Sequence, residues 1–257
     1  MTGRADDRSL ALMAARAAAA VVRTRAAGWA ALSAEQKSAG DYVTSVDREA
    51  ENAALEVLHA GSQSPVLAEE SGGETAERYW VVDPVDGTTN LLRGFPVVGV
   101  SVALMEQRRP VAGAVVAPLL GAEWSAAEGE GAHDGAGRRL AVARHPGNGV
   151  AATGFPFKLR EETGRYLSVL ERSLRRFEDL RRAGAASLDL AYTAQGSFEG
   201  FFELGLAVWD IAAGSLLVRE AGGVVTDWSG DAEAVFDNGD IVAGEPAWHE
   251  VMLSLVS

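Results

Sequence analysis

The chain contains no cysteine and only four histidines: His59, His133, His145 and His249. Without thiols there are no disulfides, no thiolate nucleophile, no iron–sulfur cluster and no cysteine-ligated zinc. No two histidines stand at metal-ligand spacing. Basic residues are also in deficit: 23 Lys and Arg face 36 Asp and Glu, a net charge of −13. A net anion repels a nucleic-acid backbone and an anionic membrane, so neither is expected as a partner. Long apolar runs are missing as well. The Ala-rich stretch from Leu10 to Val22 is interrupted by Arg16 and followed by Arg23 and Arg25, too short and too polar to span a bilayer. The start, Met1-Thr2-Gly3-Arg4-Ala5-Asp6-Asp7, lacks a signal-peptide pattern, so a cytoplasmic location is expected.

What is present is ordinary globular composition, 47% hydrophobic and 23% charged over 257 residues. That length suits one large α/β body or two joined halves, burying roughly 70–75% of the surface of the unfolded chain. We place a division near residue 145, giving an α+β half over 1–145 and an α/β half over 146–257. Apolar spacing predicts helices over 7–28, 44–61, 163–176, 185–194 and 209–221, and from 247 onward. Strands are expected at 65–68, 79–82, 97–105, 111–117, 148–153, 198–203, 224–226 and 241–242. Residues 33–43 and the Gly-rich 129–137 read as connections. Thr44 with Asp47 three residues on has the form of a capping box.

The carboxylates carry the chemistry. Glu69-Glu70 follows one apolar strand. Asp83 follows a second, in Asp83-Pro84-Val85-Asp86-Gly87-Thr88-Thr89-Asn90. Pro84 holds Asp83 in extended backbone, and Gly87 permits a turn. Such a segment can aim two carboxylates and the Val85 carbonyl at one point, the all-oxygen shell that Mg²⁺ prefers. The Gly87-Thr88-Thr89 amides, at a helix start, suit phosphate oxygens. Taken singly, Asp-Gly is a turn, Asp47 a helix cap, Glu69-Glu70 a solvated strand end and Asp210 a charge at a helix dipole. Their coincidence at strand ends and helix starts, where open α/β sheets place ligands, points to metal-assisted phosphate chemistry.

These segments resemble the inositol monophosphatase family. Asp83-Pro84-Val85-Asp86-Gly87-Thr88-Thr89-Asn90 is similar to its first signature. Trp209-Asp210-Ile211-Ala212-Ala213-Gly214, continuing to Gly222-Gly223, is similar to its second. Glu69-Glu70-Ser71 and the run from Asp41 to Asp47 match further family features, in family order.

The resemblance implies a layered αβαβα sandwich of the sugar/inositol phosphatase type. It implies two to three Mg²⁺ ions held by Glu69, Asp83, the Val85 carbonyl, Asp86 and Asp210. Glu69, Asp47 and Thr88 would serve catalysis by orienting and activating the attacking water. Gly87, Thr88, Asp86, Asp210, Glu203, Gly184 and Ala186 would contact the substrate. The implied activity is lithium-sensitive hydrolysis of a phosphorylated polyol or sugar, inositol 1-phosphate foremost, with fructose 1,6-bisphosphate and histidinol phosphate as alternatives. Relatives of this kind are commonly homodimers, so a homodimer is expected. A regulatory binding protein on the same fold is the reading from another class.

Some positions depart from the family pattern. Ala68 replaces a common glycine, Leu91 an aromatic, and Lys37 is one residue off the usual spacing. His133-Asp134 reads as a surface turn. The run Arg172, Arg175, Arg176, Arg181, Arg182 reads as a solvated helix face and loop, with a contribution to substrate capture as the alternative.

Overall fold

Alanine side chains let two helices approach closely, and the chain begins with such a pair. A computed structural model describes residues 3–38, 41–143, 145 and 149–257; the side chains of residues 31, 36–38, 41 and 42 are also outside that description. Helix α1 (Arg4–Ala26) is followed by a hairpin of β1 (Ala34–Ser38) and β2 (Asp41–Thr44), then α2 (Ser45–Gly61). The buried face of α1, including Ala11, Ala14, Ala15 and Ala18, packs on Ala50, Ala54 and Leu58 of α2. Asp6 and Asp7 in the first turn of α1, and Arg23 and Arg25 in its last, complement the helix dipole.

Next come β3 (Val66–Ala68), β4 (Gly72–Gly73), β5 (Arg78–Asp86) and the short α3 (Thr88–Leu92). A meander follows, of β6 (Gly99–Glu106), β7 (Arg109–Ala117), β8 (Ala122–Ala127) and β9 (Gly131–Asp134). After it come β10 (Val150–Thr153), α4 (Thr163–Arg176), β11 (Asp179–Arg181), α5 (Ala186–Ala194), β12 (Gly200–Glu203) and α6 (Val208–Glu220). The described chain ends with β13 (Val224–Thr226), α7 (Val235–Asn238), β14 (Ile241–Gly244) and α8 (Pro246–Val256).

Among the described residues, two large mixed sheets form, in the orders β4-β3-β5-β6-β7-β8-β9 and β11-β10-β12-β14-β13. Side-chain alternation along the strands builds the layers. In the first sheet Val82, Val100, Val102, Leu104, Ala112 and Ala114 face α1 and α2. Their neighbours Val81, Ala103, Met105, Val115 and Ala117 face α5 and α6. The second sheet turns Ala152, Phe201 and Ala243 toward the same two helices. Its other face packs Ala151, Phe202 and Val242 on Tyr166 and Val169 of α4 and on Trp248 and Met252 of α8. The result is the expected αβαβα sandwich, with α5 and α6 as the shared middle layer.

Two expected connections are strands instead. Residues 33–43 contain the β1–β2 hairpin, and 129–137 contain β9, preceded by β8. Both lack apolar alternation, and backbone pairing to a neighbour defines them. His133 and Asp134 close β9. The Asp134 carboxylate then accepts from the Ala136 and Arg138 N–H groups at 3.0 and 2.9 Å, holding the turn that follows.

Candidate active site

The acidic segment of β5 sits at a break in the sheet. On β6, Ser101 pairs with Asp83 and Gly99 with Asp86, so β5 carries one extra residue between its two aspartates. Pro84 stands in this bulge, where it has no ladder hydrogen bond to donate. The bulge re-aims both carboxyls toward one end of the sheet. Asp83 is buried and its Oδ1 accepts the Val85 N–H at 2.9 Å. Gly87 follows with φ +95°, the left-handed turn a side chain would strain, and starts α3.

Four other elements converge there. Glu69 leaves the end of β3. Glu203 ends β12, Asp210 lies in the first turn of α6, and Gly184 and Ala186 lead into α5. The cavity they bound has a volume of about 440 Å³ and is lined by Glu69, Asp83, Val85, Asp86, Gly87, Thr88, Gly184, Ala186, Glu203 and Asp210. Asp47 stands behind this wall at the start of α2. Its Oδ2 accepts from the Thr44 N–H at 2.9 Å and the Thr44 hydroxyl at 2.5 Å, and its Oδ1 accepts from the Thr88 hydroxyl at 2.7 Å. The Val85 carbonyl lies 3.1 Å from the same Thr88 oxygen. Asp47 is therefore both the cap of α2 and a partner of the cavity wall.

Burial and mutual repulsion set the electrostatics. Burial first, then the charges of Glu69, Asp86 and Asp210, holds the Asp83 carboxyl well above the usual carboxylate range. Asp210 is pushed up to about 7 by burial and by Asp86. Asp86 is raised to about 6 by burial, against the pull of hydrogen bonds from Ser187. Glu203 is raised to about 8 by burial and by Asp210. The Asp83 carboxyl thus stands beside those of Glu69 and Asp210, and this crowding of carboxyls shifts their titration. Among the described residues, no three acidic or histidine side chains already surround a common centre as an ion cage would.

Sequence reasoning assigned no role of its own to four residues in and around this site. Glu51 is buried on α2, and its carboxylate accepts the N–H groups of Glu70 and Ser71 at 2.8 and 2.9 Å. It thereby fixes the turn that presents Glu69. The Asn90 amide donates to Val97 O at 2.7 Å and Ala183 O at 2.9 Å, fastening the 183–184 loop to α3. Asp189 of α5 is buried, and burial with the Glu203 charge holds it well above the usual carboxylate range. Ser187 donates to Asp86.

The basic run divides as the sequence reading left open. Arg175 pairs with Glu171, Arg181 with Asp179, Arg172 binds the Leu255 carbonyl, and Arg176 lies 4.4 Å over the Trp248 ring. Arg182 instead lines the cavity, its guanidinium 5.2 Å from the ring centres of both Phe155 and Phe157. The Lys37 side chain lies outside the described residues.

The sequence model of the inositol monophosphatase family matches residues 6–257. The chain belongs to that family. It is 39% identical over 251 residues to the Nus factor SuhB of Salmonella typhimurium, covering 96% of this chain and 94% of the relative. It is 41% identical over 226 residues to the inositol-1-monophosphatase of Mesorhizobium japonicum, covering 86% and 84%. The crystal structure of the extragenic suppressor protein suhB from Bartonella henselae superposes with a TM-score of 0.91 at 36% identity, covering 97% of each chain. The family is a family of phosphatases with phosphorylated substrates, and the layered fold is the one its solved members share. No helix among the described residues is long and apolar enough to cross a membrane.

Proposed function

We propose that this chain is a Mg²⁺-dependent phosphatase that hydrolyses phosphate monoesters, with inositol 1-phosphate as its foremost substrate. The observation that carries this reading is the placement of the Asp47–Thr88 pair against Glu69, Asp83, Asp86 and Asp210, four acids that line one cavity with Asp83 buried among them. The donor set fits a hard divalent ion: four carboxylates and the Val85 carbonyl supply only oxygen. Acids crowded at one cavity, each holding the others' titration up, are also the groups whose repulsion a bound cation would relieve. Glu69, Asp83, Val85, Asp86 and Asp210 would hold the ions. When bound, such ions lower the pKa of water and neutralise phosphate charge.

The chain's own residues would then do the following. The Thr88 hydroxyl has one proton, and Asp47 at 2.7 Å competes for it better than the Val85 carbonyl at 3.1 Å. Thr88 Oγ1 is thus left as an acceptor that orients a water O–H. The water oxygen bonds to phosphorus, the ester P–O bond breaks, and the departing alkoxide takes up the proton that water gives. The products are an alcohol and inorganic phosphate. Arg182 and Lys158 at the cavity wall offset the repulsion between an anionic substrate and a chain of net charge −13. Glu203 and the 184–187 loop would face the alcohol and rank inositol 1-phosphate against fructose 1,6-bisphosphate and histidinol phosphate.

A second reading is favoured by the relatives named Nus factor: a binding role on the same fold, with a macromolecular partner, beside or in place of catalysis. Phosphate release from those three esters, with Mg²⁺ and with chelator, separates the two. Chelator-sensitive release with inositol 1-phosphate ranked first, and inhibition by millimolar lithium, is the expected result. Histidinol phosphate ranked first would overturn the inositol assignment. Silence on every ester from folded, Mg²⁺-loaded protein would favour the binding role.

A further inference from the structure

Asp86 closes β5, yet it is held from across the molecule. Its Oδ2 accepts two hydrogen bonds from one residue 101 positions away: the Ser187 N–H at 2.7 Å and the Ser187 hydroxyl at 2.6 Å. Ser187 is fully buried at the start of α5. Its hydroxyl has a place made for it beside Gly99 of β6, where an added Cβ would lie 2.3 Å from the Ser187 oxygen. Ser187 is also the continuation of the wall formed by Gly184 and Ala186, which lines the same cavity as Asp86.

We propose that Ser187 is a positioning residue that ties the ion site to the substrate wall. By occupying Oδ2, it leaves Oδ1 as the one Asp86 oxygen for a ligand in the cavity. The same bonds clamp the 184–187 segment against β5. Ion affinity and placement of the substrate alcohol are then set by one shared anchor. This inference rests on the phosphatase reading above.

The alternative is that Asp86 merely caps α5. A cap affects stability and nothing else, so the two ideas separate in measurements on the full-length chain. Mg²⁺ is titrated calorimetrically into metal-free wild type, Ser187→Ala and Gly99→Ala, without substrate. KM and kcat are then measured at saturating Mg²⁺ on the best ester for wild type. Ser187→Ala removes the hydroxyl but keeps the N–H; Gly99→Ala keeps the hydroxyl and displaces it. Both are expected to bind Mg²⁺ about tenfold more weakly, the low end for losing a partner that orients a metal ligand. KM should rise by a similar factor, and kcat should change by about twofold or less.

A lower melting temperature with Mg²⁺ affinity and KM unchanged in both variants would reduce Ser187 to a cap and overturn the proposal. If Ser187→Ala is not recovered folded, the Mg²⁺ affinity of Gly99→Ala decides by the same criterion. Wild type that binds no Mg²⁺ would instead sink the phosphatase reading itself. Wild type that binds Mg²⁺ but turns over no ester leaves the calorimetric comparison to decide on Ser187 alone.

Discussion

The Thr88 hydroxyl donates to Asp47 Oδ1 at 2.7 Å across 41 residues of sequence, while the other Asp47 oxygen caps the helix on which it sits. One carboxylate thus joins the first turn of α2 to the cavity wall. Thr88→Val keeps the shape of the side chain and removes the hydroxyl. If Thr88 orients the attacking water, kcat should fall by about a hundredfold or more. The Mg²⁺-induced rise in melting temperature should be retained. Wild-type turnover by the valine variant would eliminate this role.

Glu51 tests whether the Glu69 turn needs its buried acceptor. Glu51→Gln replaces one carboxylate oxygen by an NH₂ that faces a backbone N–H, so a donor loses its partner. A loss of about 1–3 kcal/mol in stability is expected from chemical denaturation. Mg²⁺ affinity should weaken with it, because only one of the Glu70 and Ser71 amides would still find an acceptor to hold the turn that carries Glu69. Unchanged stability would mean the turn is fixed by other contacts.

The raised acids predict a particular pH dependence. In the folded chain Glu203, Asp210 and Asp86 keep their protons up to about 8, 7 and 6, whereas the unfolded carboxyls release them in the usual range near 4. Between those limits the folded state binds more protons, so stability falls as pH rises. Metal-free protein should therefore melt at a lower temperature at about pH 8 than at about pH 5, and Mg²⁺ should reduce the difference. A melting temperature that climbs over that interval without metal would contradict the burial of these groups.

Gly154 lies against Glu203. A Cβ there would fall 1.9 Å from the Glu203 carboxyl, so Gly154→Ala must move that side chain. KM for the substrate is expected to rise by about tenfold, near 1.4 kcal/mol of binding. Calorimetric Mg²⁺ affinity should stay unchanged, since Glu203 is outside the ion-holding set. An unaltered KM would remove Glu203 from substrate recognition.

Much of this arrangement was legible because it is local. The Thr44-x-x-Asp47 pattern announces the cap of α2, and α4 occupies the expected 163–176. Acids after apolar strands announced a site. The missed parts are those defined by distant partners. Glu51 reads as one more charged residue in a helix, and only the fold reveals that its oxygens meet the Glu70 and Ser71 amides. The short, polar β1 and β2 have no periodicity to detect. Ser187 sits in an apolar helix start, and nothing near it in sequence names Asp86 as its acceptor.

The middle layer has a consequence for biosynthesis. The sheet face formed by Val81, Ala103, Met105 and Val115 is covered by α5 and α6, yet α6 ends only at Glu220, long after β8 ends at Ala127. At ordinary ribosomal speeds that interval lasts about 5–20 s, during which an apolar sheet waits for its cover. The nascent chain is thus a natural client for a chaperone that shields apolar strands, and fragments ending before α6 should be recovered as aggregates.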